Sequence, residues 1–294
     1  MVLLRFNKKD KEWKEIPQEK RKEHDLYLDG KLKNKLDFAK RHRKRNNDVI
    51  GIVEGKEGSG KSSLAGNIMR YVTNDSFDPT KDMIGSDYED AINKIDKVKN
   101  SGHLMFDEGN VFFLSTETIK REHRDLHKLF SIFRQKNLFV LIVLPSFFRL
   151  GTYFALDRSN FMVRTYLKNG KRGYLGYYGE KTKANLYKKG KAKYDIHVVE
   201  PNFRGRFTKC YLLETKEYHD FKISTLKQSF VVARAPLRKK KSAAEIKREV
   251  MYKLIEDNPE LTSPKLSLII GMDDSRIRAI RREMKSYKKP LINT

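Results

Sequence analysis

Gly55-Lys56-Glu57-Gly58-Ser59-Gly60-Lys61-Ser62 fits the pattern G-x-x-x-x-G-K-[ST] without deviation. Its flanks decide how it is read. Asp48-Val49-Ile50-Gly51-Ile52-Val53-Glu54 reads as a short buried strand. The residues from Ser63 to Tyr71 read as a helix with Leu64, Ala65, Ile68 and Met69 apolar. Strand, glycine-rich loop and helix together let backbone N–H groups wrap a polyphosphate at a helix N-terminus. The glycines allow positive φ and close backbone approach, Lys61 can reach the outer phosphates, and the Ser62 hydroxyl suits magnesium. Gly55 to Ser63 is therefore the candidate set for a nucleotide.

Hydrolysis needs more than a cradle. His103-Leu104-Met105-Phe106 is a short apolar run ending in Asp107-Glu108. An acidic pair at a strand end, about fifty residues past a phosphate loop, supplies one carboxylate for the metal (Asp107) and one to polarise water (Glu108). The expected cofactors are ATP and Mg²⁺.

Composition points to the partner. The formal net charge is +25, from 63 Lys and Arg against 38 Asp and Glu. Such an excess favours a polyanion, with nucleic acid the usual one and an anionic membrane surface the alternative. Cys210 is the sole cysteine, so a disulfide framework and a thiolate zinc site within one chain are excluded. No signal peptide opens the sequence, and the longest apolar run, Leu138 to Phe148, is too short to cross a bilayer. The expectation is a soluble, cytoplasmic protein with no membrane partner and no small-molecule substrate beyond the nucleotide.

Along the chain, residues 1–47 are highly charged, lack a sustained apolar period and end in Lys40-Arg41-His42-Arg43-Lys44-Arg45. They read as a basic arm, either merely solvated or used on phosphates or a neighbouring subunit. From 48 to 232, strand and helix signals alternate. Strands are expected at Val49–Val53, His103–Phe106, Leu138–Leu144, Phe161–Leu167, Tyr174–Tyr178 and Ile196–Glu200, and helices at Ser63–Thr73, Asp87–Val98 and Ile119–Arg134. This predicts an α/β domain with a mostly parallel sheet and helices on both faces. Lys168-Asn169-Gly170-Lys171 predicts a hairpin tip and an antiparallel extension. Lys181–Lys193 reads as a surface loop. Residues 233–243 form a basic linker with Arg238-Lys239-Lys240-Lys241. Residues 244–289 have apolar positions at helical spacing and the turn Gly271-Met272-Asp273-Asp274-Ser275 before a last helix. That is a helix-turn-helix layout, with a small oligomerisation module as the alternative. Arg276, Arg278, Arg281, Arg282 and Lys285 on the last helix are the candidate DNA contacts.

With these motifs the chain resembles the P-loop ATPases of the additional-strand, catalytic-glutamate class, with a RecA-like sheet. Within it the pattern is similar to the HerA–FtsK group, the zonula-occludens-toxin-like assembly ATPases and the viral DNA-packaging ATPases. The resemblance covers residues 48 to about 168. It implies a phosphate-loop strand lying centrally, separated from the Asp107 strand by an added strand. It implies Ser146 at the end of that added strand as a coupling residue, where the group often has Gln. It also implies homo-oligomeric rings in which one subunit's arginine enters the next subunit's site, with Arg134 and Arg158 as candidates unless they are surface or salt-bridged. No nuclease domain and no AAA+ sensor-2 arginine are evident. The function so implied is a DNA-associated ATPase coupled to translocation, packaging or remodelling, with an ATP-gated partition or regulatory protein as the alternative. A metabolite kinase fits the charge poorly.

Overall fold

In a computed structural model of the chain, the structure describes residues 2–85, 88–107, 133–216, 218–223, 255, 260–270 and 273–287. The chain divides into two compact units, 1–232 and 233–294.

The centre of the first unit is a seven-stranded sheet. Its strands are β4 (Val49–Glu54), β5 (Met83–Ile84), β6 (His103–Phe106), β7 (Phe139–Leu144), β8 (Phe161–Lys168), β9 (Lys171–Gly179) and β10 (Phe203–Arg206). Their order across the sheet is β10-β9-β8-β4-β7-β6-β5. Strands β5, β6, β7, β4 and β8 run parallel, and β9 and β10 extend the sheet by antiparallel pairing. All six residues of β4 and all six of β7 are buried, as a central parallel strand covered on both faces requires. β7 separates β4 from β6, in register Glu54↔Leu144 and Phe106↔Ile142. β7 therefore stands where the resemblance expects the added strand, and the fold is α/β with a mostly parallel sheet.

Two layers cover the sheet. On one face α2 (Lys61–Val72) packs with Val53, Leu141, Val143 and Val163. On the other, α4 (Tyr88–Lys97) and α5 (Glu180–Gly190) bury Ile95 and Leu186 with Ile52, Val140 and Met162. The β8–β9 turn has Asn169 at φ 49° and Gly170 at φ 71°, the left-handed pair that a two-residue hairpin demands.

Residues 2–43 differ from the expected arm. β1 (Val2–Asn7), β2 (Glu12–Glu15) and β3 (Leu26–Leu28) form an antiparallel sheet in the order β2-β1-β3. α1 (Gly30–Arg43) follows, opened by the Asp29 carboxylate accepting from the Lys31 and Leu32 amides. Leu4, Leu28, Leu32 and Leu36 are buried in the same core as α2. The strands are three to six residues long, too short for a period to show among the lysines. Two further expectations fail. Lys181–Lys193 is mostly helix rather than loop, and Ile196–Val198 is a 3-10 turn rather than a strand. A short helix α3 (Pro79–Asp82) precedes β5.

In the second unit, α6 (Ser263–Ile270) and α7 (Asp274–Tyr287) bury Leu266, Ile277 and Ile280 with Ile255. The expected preceding helix lies outside the described residues apart from Ile255, and the linker 233–243 lies outside them entirely. The expected helix Ile119–Arg134 also falls outside them except for its last residues.

Candidate functional site

Strand β4 ends at Glu54 and the chain turns into α2 through the glycine-rich loop. Gly55, Gly58 and Gly60 all have positive φ. A Cβ on Gly55 would sit 2.3 Å from Thr165 Oγ1, so that glycine is demanded by space as well as by backbone. The loop is braced from within. Ser59 Oγ donates to the Lys56 carbonyl at 2.6 Å and lies 2.6 Å from Thr165 Oγ1 of β8, which bonds the Glu54 carbonyl at 3.3 Å. Lys61 Nζ donates to the Lys56 carbonyl at 3.0 Å. That places the ammonium across the mouth of the loop.

Ser62 opens α2 and donates from Oγ to Asp107 Oδ1 at 3.1 Å. Asp107 follows β6, is 3% exposed, and has its amide fixed on the Ile84 carbonyl at 2.9 Å. Two residues distant in sequence complete this corner. The Lys222 ammonium pairs with Asp107 Oδ2, and Tyr218 lines the same cavity as Ser62, burial pushing its phenol up to about 12. A buried carboxylate and a hydroxyl are oxygen donors that fit magnesium, and the ammonium drawn to the carboxylate shows that the corner attracts positive charge. Magnesium commonly takes one or two protein oxygens and fills the rest of its shell with phosphate and water. Among the described residues there is no cluster of three or more His, Cys, Asp or Glu that could hold a metal ion.

Glu54 stands behind the loop. Burial raises its carboxyl from the ordinary 4.5 to about 7, against the opposing pull of Arg164 and Lys61. Arg164 Nε lies 3.7 Å away. On the α2 side, a cavity of about 470 Å³ is lined by Gly60, Ser62, Ser63, Arg172, Phe207 and Tyr218 among others. The Phe207 ring comes within 3.2 Å of where a Gly60 Cβ would stand, and Arg172 within 3.7 Å of a Gly58 Cβ.

The other expected residues divide by their end of the sheet. Ser146 lies two residues past β7, on the same edge as the loop. Glu108 lies outside the described residues. Arg134 is exposed before β7, at the opposite edge. Arg158 is also at that edge, with Nη2 2.5 Å from Asp48 Oδ2 and a side chain 17% exposed. That ion pair joins Arg158 to the entry of β4. In the second unit Arg276 and Arg282 are exposed. Arg278 pairs with Asp274, and Arg281 donates to the Leu261 carbonyl and to Ser263 Oγ. Arg281 therefore ties α7 to the start of α6. The backbone of Lys285 is helical.

Sequence reading missed Thr165, Arg172, Phe207, Tyr218 and Lys222. None carries a local signal. Thr165 and Arg172 reach the loop only through the pairing of β4 with β8 and of β8 with β9.

No family model matches the sequence, and no curated protein matches it. Among solved structures, it is similar to the DNA-packaging ATPase B204 of Sulfolobus turreted icosahedral virus. The identity is 11%, over 47% of this chain and 95% of that one, with a TM-score of 0.36. It is also similar to the N-terminal domain of zonular occludens toxin from Neisseria meningitidis, at 11% identity over 59% and 98% with a TM-score of 0.35. The replication initiator DnaA bound to AMPPCP and single-stranded DNA matches at 11% identity over 90% of each chain, with a TM-score of 0.33. These are likenesses of fold.

Proposed function

We propose that the chain is a DNA-associated ATPase. It binds ATP with magnesium at Gly55–Ser63 and couples hydrolysis to DNA translocation, packaging or remodelling as a homo-oligomer. The observation that carries this reading is the meeting of Ser62 and Asp107 at 3.1 Å at the N-terminus of α2, beside Lys61. A loop that only turned the chain would have no reason to bury a carboxylate there.

In the proposed cycle the loop amides and the α2 N-terminus hold the phosphates, where the helix dipole favours negative charge. Lys61 exchanges the Lys56 carbonyl for phosphate oxygens. Ser62 and Asp107 would hold magnesium, which when bound neutralises charge developing on the transferred phosphoryl group. Glu108, next to Asp107, orients and deprotonates the attacking water. Ser146, two residues past the strand beside β4, responds to the outer phosphate. The cavity beside Phe207 receives sugar and base. The net charge of +25 and the exposed Arg276 and Arg282 supply the DNA contact.

Lys61→Ala should abolish ATP binding or turnover, and near-normal turnover would defeat the site assignment. Glu108→Gln should keep ATP binding and lower turnover by about 10²-fold or more. The functional arm is the ATPase rate with and without duplex DNA, with the mass measured in each nucleotide state. Strong stimulation and a ring-sized mass support the motor. An unstimulated rate with DNA affinity set by the nucleotide favours an ATP-gated partition or regulatory protein instead.

A further inference from the structure

One face of the main sheet changes character towards the β8–β9 tip. Lower down, Met162 and Tyr178 are covered by Leu186 and Tyr187 of α5. Above them the same face carries Arg164, Tyr166 and Lys168 of β8, Tyr174 and Gly176 of β9, and Arg204 and Arg206 of β10. The registers align them in rows. Tyr166 pairs with Tyr174 and Tyr174 with Arg206; Arg164 pairs with Gly176 and Gly176 with Arg204. Residues directly opposite on neighbouring strands share a face, so these rows form one platform.

Its chemistry is aromatic and cationic together. The Tyr166 and Tyr174 rings stack at 5.9 Å between centroids. Arg206 lies 5.2 Å from the Tyr174 centroid and Lys168 6.0 Å from it. Lys168 and Arg206 are exposed, and both tyrosines are half-buried. Pro201 packs over Gly176, 3.3 Å from where a Cβ would stand, beside a cavity of about 390 Å³ bordered by Arg164, Tyr166, Tyr178, His197 and Arg204. Two acids face the platform: Glu54, buried near Arg164, and Glu200, exposed and paired with Arg204. The cavity also borders Lys56 and Ser59 of the phosphate loop.

We infer that this end of β8, β9 and β10 binds a single-stranded polynucleotide, with Tyr166 and Tyr174 stacking unpaired bases and Lys168, Arg204 and Arg206 following the phosphates. Half-buried aromatic rings framed by cations serve a strand whose bases are unstacked, because a duplex hides its base faces. The cavity admits a splayed base. The surface lies in the first unit, apart from the duplex contact proposed for α7, and it stands or falls without the ATPase reading.

The test uses the full chain and fluorescence anisotropy, with labelled oligo(dT) of about 15 nucleotides and a duplex of the same length. The variants are the double charge reversal Lys168→Glu/Arg206→Glu and, separately, Tyr174→Leu. The double variant should weaken oligo(dT) binding about tenfold or more and weaken duplex binding less. Tyr174→Leu should weaken oligo(dT) binding about five- to a hundredfold while leaving the salt dependence unchanged. Should Tyr174→Leu fail to fold, as its melting curve would reveal, the double variant at exposed positions decides alone. Wild-type oligo(dT) affinity in folded variants overturns the inference. Equal losses on single strand and duplex overturn it too, as does a change in self-association, read by sedimentation, with oligo(dT) binding intact. That last result would make the face a contact between copies.

Discussion

Asp107 is held by two groups that differ in what a nucleotide asks of them. Ser62 can stay when magnesium arrives, because its hydroxyl oxygen accepts as well as donates. The Lys222 ammonium, on Asp107 Oδ2, sits where added positive charge is disfavoured. Lys222→Ala should therefore lower the magnesium concentration needed for half-maximal ATP turnover by a few-fold, measured in a magnesium titration at saturating ATP. A higher requirement, or collapsed turnover, would mean that Lys222 assists the chemistry. The same removal leaves a carboxylate that is 3% exposed without its counter-charge, so the melting temperature should fall. Glu54 gives a second residue-scale prediction with the sign set by burial. Its carboxyl rises from 4.5 to about 7 in the folded chain, so the folded state holds the proton more tightly than the unfolded state. Its contribution to stability is fully present below pH 4.5 and is lost as pH rises through 7. The loss is about 3 kcal/mol. Glu54→Gln, which cannot ionise, should raise the melting temperature at pH 8 and flatten its fall between pH 4.5 and 7. An unchanged pH profile would show that Arg164, not desolvation, governs Glu54.

At the scale of elements, legibility followed the length and density of the apolar signal. β4 and β7 are six-residue runs with every residue buried, and runs of that kind show in a sequence because both faces are covered. The phosphate loop showed because its chemistry is contiguous. The N-terminal sheet did not, since β3 is three residues long, β2 is exposed apart from Trp13 and β1 buries only Leu3 and Leu4. α5 did not because a lysine supplies part of its buried face. Lys183 is 0% exposed and donates to the Ala155 carbonyl at 2.5 Å and to the Ser159 carbonyl and Oγ at 2.6 Å each. These acceptors lie in and just after the π-helical turn Tyr153–Arg158, so the buried cation closes that turn. Lys183→Met fills the space but strands three acceptors, and should cost about 2–4 kcal/mol in a denaturant titration. The N-terminal elements make a coarser prediction. Arg70 of α2 bonds Asp75 at 2.7 Å and the His24 carbonyl at 2.9 Å, and lies over Trp13 and Tyr211. With Leu4, Leu28 and Leu32 it fastens residues 2–43 to the helix that bears Lys61. Removing residues 1–47 should therefore give an insoluble or non-cooperatively melting protein, whereas a mere basic arm would be lost without effect on the melt.

At the scale of the whole molecule, catalysis and duplex contact are assigned to separate units, and that separation can be measured. The core of 1–232 includes none of the buried residues Ile255, Leu266, Ile277 and Ile280, which form their own cluster. A chain ending at residue 232 should keep its cooperative melt and its basal ATPase while losing most of its duplex affinity. Unchanged affinity would move the duplex contact to the first unit. Within α7, the side chains already engaged narrow the choice of reader. Arg281 is committed to Leu261 and Ser263, and Arg278, though exposed, pairs with Asp274, leaving Arg276 and Arg282 as the other exposed arginines of its described face. Each phosphate contact contributes about 0.9 to the slope of log affinity against log salt. Arg276→Ala/Arg282→Ala should thus reduce that slope by about 2 on duplex DNA and leave the melt unchanged. Arg281→Ala should behave in the opposite way, lowering the stability of the second unit because the Leu261 carbonyl loses its donor, while the slope moves only as far as the unit unfolds. Were Arg281→Ala to cut the slope in a fully folded protein, the arginine would have to leave Leu261 on binding DNA, and α7 would read DNA in a different side-chain arrangement.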